Sequence, residues 1–205
     1  MARRNEKARA AVRDPERTRH RILEAALKEF AARGFAGARV SGIARRAKIN
    51  KRMLYHYFGD KEELYRAVRR HKICQRKRSV GAQVSDLDPV SSLPAWFRQN
   101  CQDTDWVRLL AWESLQTTRD VVLDEKERRR GVAEAVERVR QKQAAGQLRA
   151  DVPAKYLQLA RISLTMFPTV LPQLARLITG RPPRDPKFQR EYAQFLETIS
   201  GAFRP

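Results

Sequence analysis

Apolar residues recur three and four positions apart along most of the 205-residue chain and nowhere alternate as a half-buried strand would require. The pattern predicts an all-α protein of about nine helices. A first helix opens at Asp14-Pro15-Glu16, where Asp is a sound N-cap and Pro suits the first turn. Its inner face is Ile22, Leu23, Ala26, Leu27 and Phe30, and Gly34 stops it. Val40, Ile43, Ala44 and Ala47 give a short second helix one buried side and leave Arg45 and Arg46 in water. Lys48-Ile49 makes a turn, and Asn50 caps a third helix whose Leu54 and Phe58 point inward. The opposite side of that helix carries Lys51, Arg52, Tyr55 and His56. Two short helices at a tight turn, with cationic and aromatic side chains free on the second, are the outline of a helix-turn-helix that reads a major groove. Asp60 with Glu63 three residues later starts a fourth helix, which turns Leu64, Tyr65 and Val68 inward before the basic run Arg69 to Arg78.

The stretch Ser79 to Pro94, with Gly81, Pro89 and several serines, reads as a joint. The expected organisation is a mobile basic arm at 1–13, a helix-turn-helix domain at 14–78 and a second helical domain at 79–205. In that second half, Leu93 to Gln102 and Asp105 to Thr117 are aromatic-rich helices, and Glu125 to Ala145 is a charged helix ended by Gly146. Lys155 to Thr179 is apolar around most of its circumference, with a kink or break predicted at Pro168 and Pro172. A last helix sets Phe188, Tyr192, Phe195, Leu196, Ile199 and Phe203 along one broad face. A chain of this size cannot cover both of these helices, so they are expected to pack against their copies in a second subunit as a four-helix bundle.

Charge sharpens this division. Residues 1 to 78 hold 24 Lys and Arg against 8 Asp and Glu, a net of +16, and the remaining residues hold 19 against 15, a net of +4. A polyanion is the natural partner of the first part, because each neutralised phosphate releases counterions. The arm, with Arg3, Arg4, Lys7, Arg9 and Arg13, either reaches a minor groove or stays a solvated tail. The basic N-terminus has no apolar core of a secretory signal, and Gln158, Arg161, Gln173 and Arg176 interrupt the most apolar segment, so a soluble protein is expected. Cys74 and Cys101 are too few for a disulfide framework, which fits a reducing cytoplasm. With His20, His56 and His71 at no ligand spacing, neither a metal site nor a cofactor is expected.

Three ordered stretches resemble the TetR/AcrR family of bacterial transcription regulators: Thr18-Arg19 with Ile22 to Ala26, Phe30, Gly34 and Phe35; Val40, Ile43, Ala44 and Ala47; and Leu54-Tyr55-His56-Tyr57-Phe58 followed by Lys61 to Leu64. They span residues 16 to 70, and Gly146 to Asp151 with Pro153 is similar to the link after the seventh helix of such proteins. Some positions depart from the family pattern: Ala38-Arg39 replaces a hydroxyl N-cap, Lys48 a turn glycine and Met53 a frequent threonine, while Gly42 costs its helix about 0.8–1 kcal/mol against alanine.

The resemblance implies a homodimeric repressor that binds a palindromic operator in double-stranded DNA and is released by a small molecule. Lys51, Arg52, Tyr55 and His56 would then read bases, Ser41, Asn50, Tyr57 and Lys61 would hold phosphates, and Arg45 and Arg46 would lie beside the backbone. It also implies an effector cavity in the second domain, lined by Trp96, Phe97, Trp106, Leu110, Trp112, Met166 and Phe167 and suited to a hydrophobic or planar compound. Glu113, set among large apolar residues, either faces that cavity or is a satisfied structural acid. No glycine-rich phosphate loop, nucleophile elbow or metal-spaced set is present, which leaves an enzyme reading little support. The rival that the charge permits is an architectural DNA-binding protein without an effector.

Overall fold

A computed structural model describes residues 15–84, 92–116 and 122–205. Among these the chain forms ten helices and no strand: α1 (Pro15–Gly37), α2 (Val40–Arg46), α3 (Lys51–Phe58), α4 (Lys61–Val84), α5 (Leu93–Gln102), α6 (Thr104–Gln116), α7 (Glu125–Ala144), α8 (Ala154–Val170), α9 (Pro172–Thr179) and α10 (Pro186–Gly201). The all-α expectation holds. The basic arm and the cap expected at Asp14 lie outside the described residues. Internal contacts separate two units, Met1–Lys72 and Ile73–Pro205. One part of the expected joint is corrected: Ser79 and Gly81 belong to α4, which stays helical to Val84. Ser79 Oγ lies 3.2 Å from the Arg76 carbonyl, a back-bond that a helix accommodates.

In the first unit α1 packs on α2, and α2 on α3. Ile22, Leu23, Ala26, Phe30, Ile43, Leu54, Leu64 and Val68 are all but withdrawn from water. Gly34, at φ 67° and ψ 178°, breaks the helical path of α1, a conformation that a Cβ would strain. The chain past that break folds Phe35 against Tyr65 and Phe30, with ring centres 5.3 and 6.1 Å away.

In the second unit α8 is the central element and packs against α5, α6, α7 and α9, while α10 lies on α5. The core joins Leu93 and Phe97 of α5, Val139 of α7, Leu148, Ala154 and Leu157, and Phe188 and Leu196 of α10. A buried polar network crosses it: Arg76 donates to Asp103 Oδ2 at 3.0 Å and to Asn100 Oδ1 at 2.7 Å, and Asn100 Nδ2 donates to the Thr165 carbonyl at 2.9 Å. Burial lowers the Arg76 pKa, and the Asp103 carboxylate opposes that.

The predicted break of the long apolar segment falls at Leu171 (φ −117°, ψ 62°), directly before Pro172. Pro168 is instead absorbed inside α8. A proline there has no N–H to give the carbonyl four residues earlier. Tyr192 of α10 supplies the missing donor, its hydroxyl giving a 2.9 Å hydrogen bond to the Leu164 carbonyl.

Candidate nucleic-acid interface

The turn between α2 and α3 is built by residues that refuse to continue a helix. Lys48 sits in the left-handed region at φ 54°, where the family resemblance expects glycine, so its Cβ holds about 1–2 kcal/mol of strain. Asn50 then takes an extended conformation and its Oδ1 accepts the Met53 N–H at 2.7 Å, the N-cap that the sequence predicts. With α3 started there, Leu54 and Phe58 fall inside, the Arg19 guanidinium covers the Phe58 ring at 5.3 Å, and Lys51, Arg52, Tyr55 and His56 all face water. Tyr55 is 46% exposed, a large value for an aromatic side chain without a packing partner. Tyr57 is half-buried, with its ring between those of His56 and Phe58 at 5.9 and 6.3 Å.

The start of α2 has no side-chain cap, but it is held by a carboxylate that sequence reading missed. Glu29, buried on α1, accepts the Arg39 N–H at 3.3 Å and pairs with Arg33 Nε at 3.2 Å. A Cβ on Gly42 would stand 3.1 Å from Glu29 Oε1, a tight contact that the carboxylate could relieve only by shifting a few tenths of an ångström. The helix-weakening glycine thus faces a residue thirteen positions away in sequence. The only signal available beforehand was the i,i+4 pair Glu29 and Arg33 next to an uncapped helix. Around this carboxylate lies a cleft of about 470 Å³ lined by Glu29, Arg33, Arg39, Ser41, Gly42, Arg45 and Arg46. It brings Ser41, Arg45 and Arg46 together with Arg33 and Arg39. Four guanidinium groups against one acid suit a phosphate backbone.

Lys61 is placed differently from the other residues expected at phosphates. Its ammonium donates to the Ala36 carbonyl at 3.3 Å and lies 4.9 Å from the Phe35 ring, tying α4 to the end of α1. The capping start of α4 is present, Asp60 Oδ1 accepting the Glu63 N–H at 2.8 Å.

The residues expected around an effector differ in their surroundings. Phe97 is fully buried in the core against Phe188 and Tyr192, and Trp106 is buried under the Arg76 guanidinium at 5.7 Å. Glu113 takes both oxygens to Arg128 at 3.1 Å, as a satisfied structural acid does. Leu110, Trp112 and Met166 are half-buried, and Phe167 is exposed. Trp96 is half-buried beneath Arg161, whose guanidinium carbon lies 5.2 Å from the ring centre. Burial, and then repulsion from Arg138, bring the Arg161 pKa down to about 10. Cys74 and Cys101 are both free, and burial pushes the Cys101 thiol up to about 12.

One exclusion drawn from sequence spacing is corrected. His20, His71 and Glu24 do come within ligand distance of one another, because α1 and α4 bring together residues 51 positions apart. Burial, and then His20, lower the His71 pKa, with Glu24 pulling the other way.

A capped short helix with a free cationic and aromatic side, beside an arginine-lined cleft, defines the helix-turn-helix class of DNA-binding regulators. The profile of bacterial regulatory proteins of the tetR family matches residues 22–68, and the tetracyclin repressor-like C-terminal domain profile matches residues 93–197. The HTH-type transcriptional repressor SCO4008 of Streptomyces coelicolor is 34% identical over 170 residues, covering 83% of this chain and 88% of that protein. The chain belongs to the TetR family of transcription regulators. Its fold matches the transcriptional regulator SCO4942 of Streptomyces coelicolor at a TM-score of 0.70 and 26% identity, over 92% of this chain and 99% of that one. AibR, crystallised with isovaleryl coenzyme A and operator DNA, shares the fold at a TM-score of 0.65 and 20% identity, over 92% and 98% of the two chains. Among the described residues no helix is long and apolar enough to cross a membrane.

Proposed function

We propose that the protein is a homodimeric repressor that grips a palindromic operator with α3 of each copy and lets go when a small molecule occupies the second unit. The observation that carries this reading is the outward side of α3, where Lys51, Arg52, Tyr55 and His56 stand free on a helix pinned by Leu54 and Phe58. Ser41, Asn50, Tyr57, Arg45 and Arg46 then hold the backbone. For Asn50, whose oxygen is spent on the cap, only the amide N–H groups remain to donate. Self-association is supported by the apolar residues that α8, α9 and α10 leave in water, among them Leu159, Leu174, Leu177, Ile178 and Phe195.

The effector reading rests on Trp96, Trp112 and Met166, with Arg161 added. Residues 154, 157, 158, 161, 165 and 168 form the inward stripe of α8, and Arg161 is its one cation, with no carboxylate partner among the described residues. Its hydrogen bond goes to Gln158 Oε1 at 3.1 Å and its face to Trp96. A planar or apolar body bearing an acidic group matches this chemistry better than a neutral hydrophobe. The effector would displace α5, and α5 holds α4 through the bonds from Arg76 to Asn100. An advantage of about 1–3 kcal/mol for the released conformer suffices for regulation.

The test is fluorescence anisotropy on a palindromic site selected from genomic fragments, with random competitor DNA present. Arg52→Ala with Tyr55→Ala should weaken selective binding by about 10²-fold or more while non-selective binding persists. Equal loss of both, or a wild-type protein that surrenders its site to competitor, would favour the architectural alternative instead.

A further inference from the structure

His20 and Glu24 stand one helical turn apart on α1, and α4 brings His71 onto the same spot. His71 Nε2 lies 3.5 Å and His20 Nε2 4.0 Å from one carboxylate oxygen, Glu24 Oε1, and the three donor atoms all fall within 4.8 Å of one another. The two imidazoles meet edge to face with ring centres 5.2 Å apart. Glu24 Oε1 and His71 Nε2 are shut off from solvent and face each other at 3.5 Å, too far for a strong hydrogen bond, and neither has a nearer partner. Folded proteins rarely leave such atoms unsatisfied without a bound water or ion.

We propose that His20, Glu24 and His71 form a site for a divalent transition metal of the zinc class, with water as a fourth ligand. Two imidazole nitrogens and one carboxylate oxygen are the borderline donors that zinc, cobalt and nickel share, and three protein ligands plus an open position is a recurrent zinc arrangement. Bonds of about 2.0–2.1 Å in a tetrahedral shell set donors roughly 3.3–3.5 Å apart. The Glu24 and His71 atoms already have that spacing. A change of rotamer of the His20 side chain, which is 57% exposed, would close the rest. α1 and the first half of α4 belong to the same unit, so the ion would clamp α1 to α4 inside the DNA-reading unit. Glu24 is the only negative ligand and Lys72 adjoins His71, which places the affinity below that of thiolate zinc sites. The assignment does not depend on the operator or on the effector.

The experiment uses the untagged full-length chain, stripped with a chelator and titrated with Co²⁺ and then Zn²⁺. One equivalent of cobalt per chain should give the visible absorption of a four-coordinate ion, and zinc should bleach it. At zinc about 100-fold above Kd, Tm should rise by about 5–10 °C. His71→Ala and the surface variant His20→Ala should each abolish the absorption and the Tm rise, and Cys74→Ser should keep both. A chain that takes up no cobalt saturably, uptake that survives both histidine variants, or uptake that vanishes with Cys74→Ser would overturn the assignment.

Discussion

The two units dispose of their apolar side chains in opposite ways. In the first, α1 to α4 withdraw Ile22, Phe30, Ile43, Leu54 and Leu64 completely, and what remains outside α2 and α3 is mostly charge. In the second, a core of similar quality coexists with an unfinished face, where Leu177 and Ile178 are 82% and 71% exposed. A small helical unit that completes its own core has its surface free for a charged partner. One that leaves such a face uncovered is shaped for another apolar surface, which the proposed self-association would supply. The charge division agrees, since residues 1 to 78 carry +16 of the net +20.

The contrast can be broken most strongly at the open face. Leu177→Glu with Ile178→Glu should weaken self-association by about 10²–10⁴-fold in analytical ultracentrifugation, while leaving monomer helicity unchanged. If the dimer persisted, the seam would lie elsewhere. Asp103→Ala comes next, because it strands the buried Arg76 guanidinium. Urea unfolding should show a loss of about 3–5 kcal/mol, and a surface-like loss below about 1 kcal/mol would mean the pair is solvated. Tyr192→Phe should cost about 1–3 kcal/mol by orphaning the Leu164 carbonyl beneath Pro168. A Pro168→Ala background should shrink that cost, because the restored N–H serves the same carbonyl. The smallest effect belongs to the reading unit. Lys48→Gly should stabilise it by about 0.5–1 kcal/mol, the relief at φ 54° net of the added freedom of the unfolded chain, read as a Tm rise of about 1–4 °C. A lower Tm would mean that the Lys48 side chain contributes more than its backbone costs.

What the sequence makes legible, and what it hides, follows from the range of the contacts involved. The caps, stops and inward faces of α2, α3 and α4 are local: Asn50, Asp60, Leu54 and Phe58 act within one or two turns, and their spacing announces them. The break near Pro172 is legible for the same reason, although the neighbouring Pro168 stays within α8 because a tyrosine from another helix repairs the carbonyl. The carboxylate of Glu29 at the start of α2, its close approach to Gly42 and the meeting of His20, Glu24 and His71 depend on how α1 lies against its neighbours. No periodicity carries that information. The surroundings of the aromatics of the second unit are hidden for the same reason: Phe97 joins the core and Trp106 lies beneath Arg76, contacts set by residues distant in sequence.

The central claim is that the free side of α3 enters the duplex twice, once per copy of the chain. Hydroxyl-radical footprinting of the full-length protein on its selected genomic site tests it directly. The account predicts two protected patches, symmetric about the centre of an inverted repeat and about 34 Å or a multiple of that apart, both lost together in the Arg52→Ala and Tyr55→Ala double variant. A single patch, continuous protection along the fragment, or two patches that survive in the double variant would contradict it.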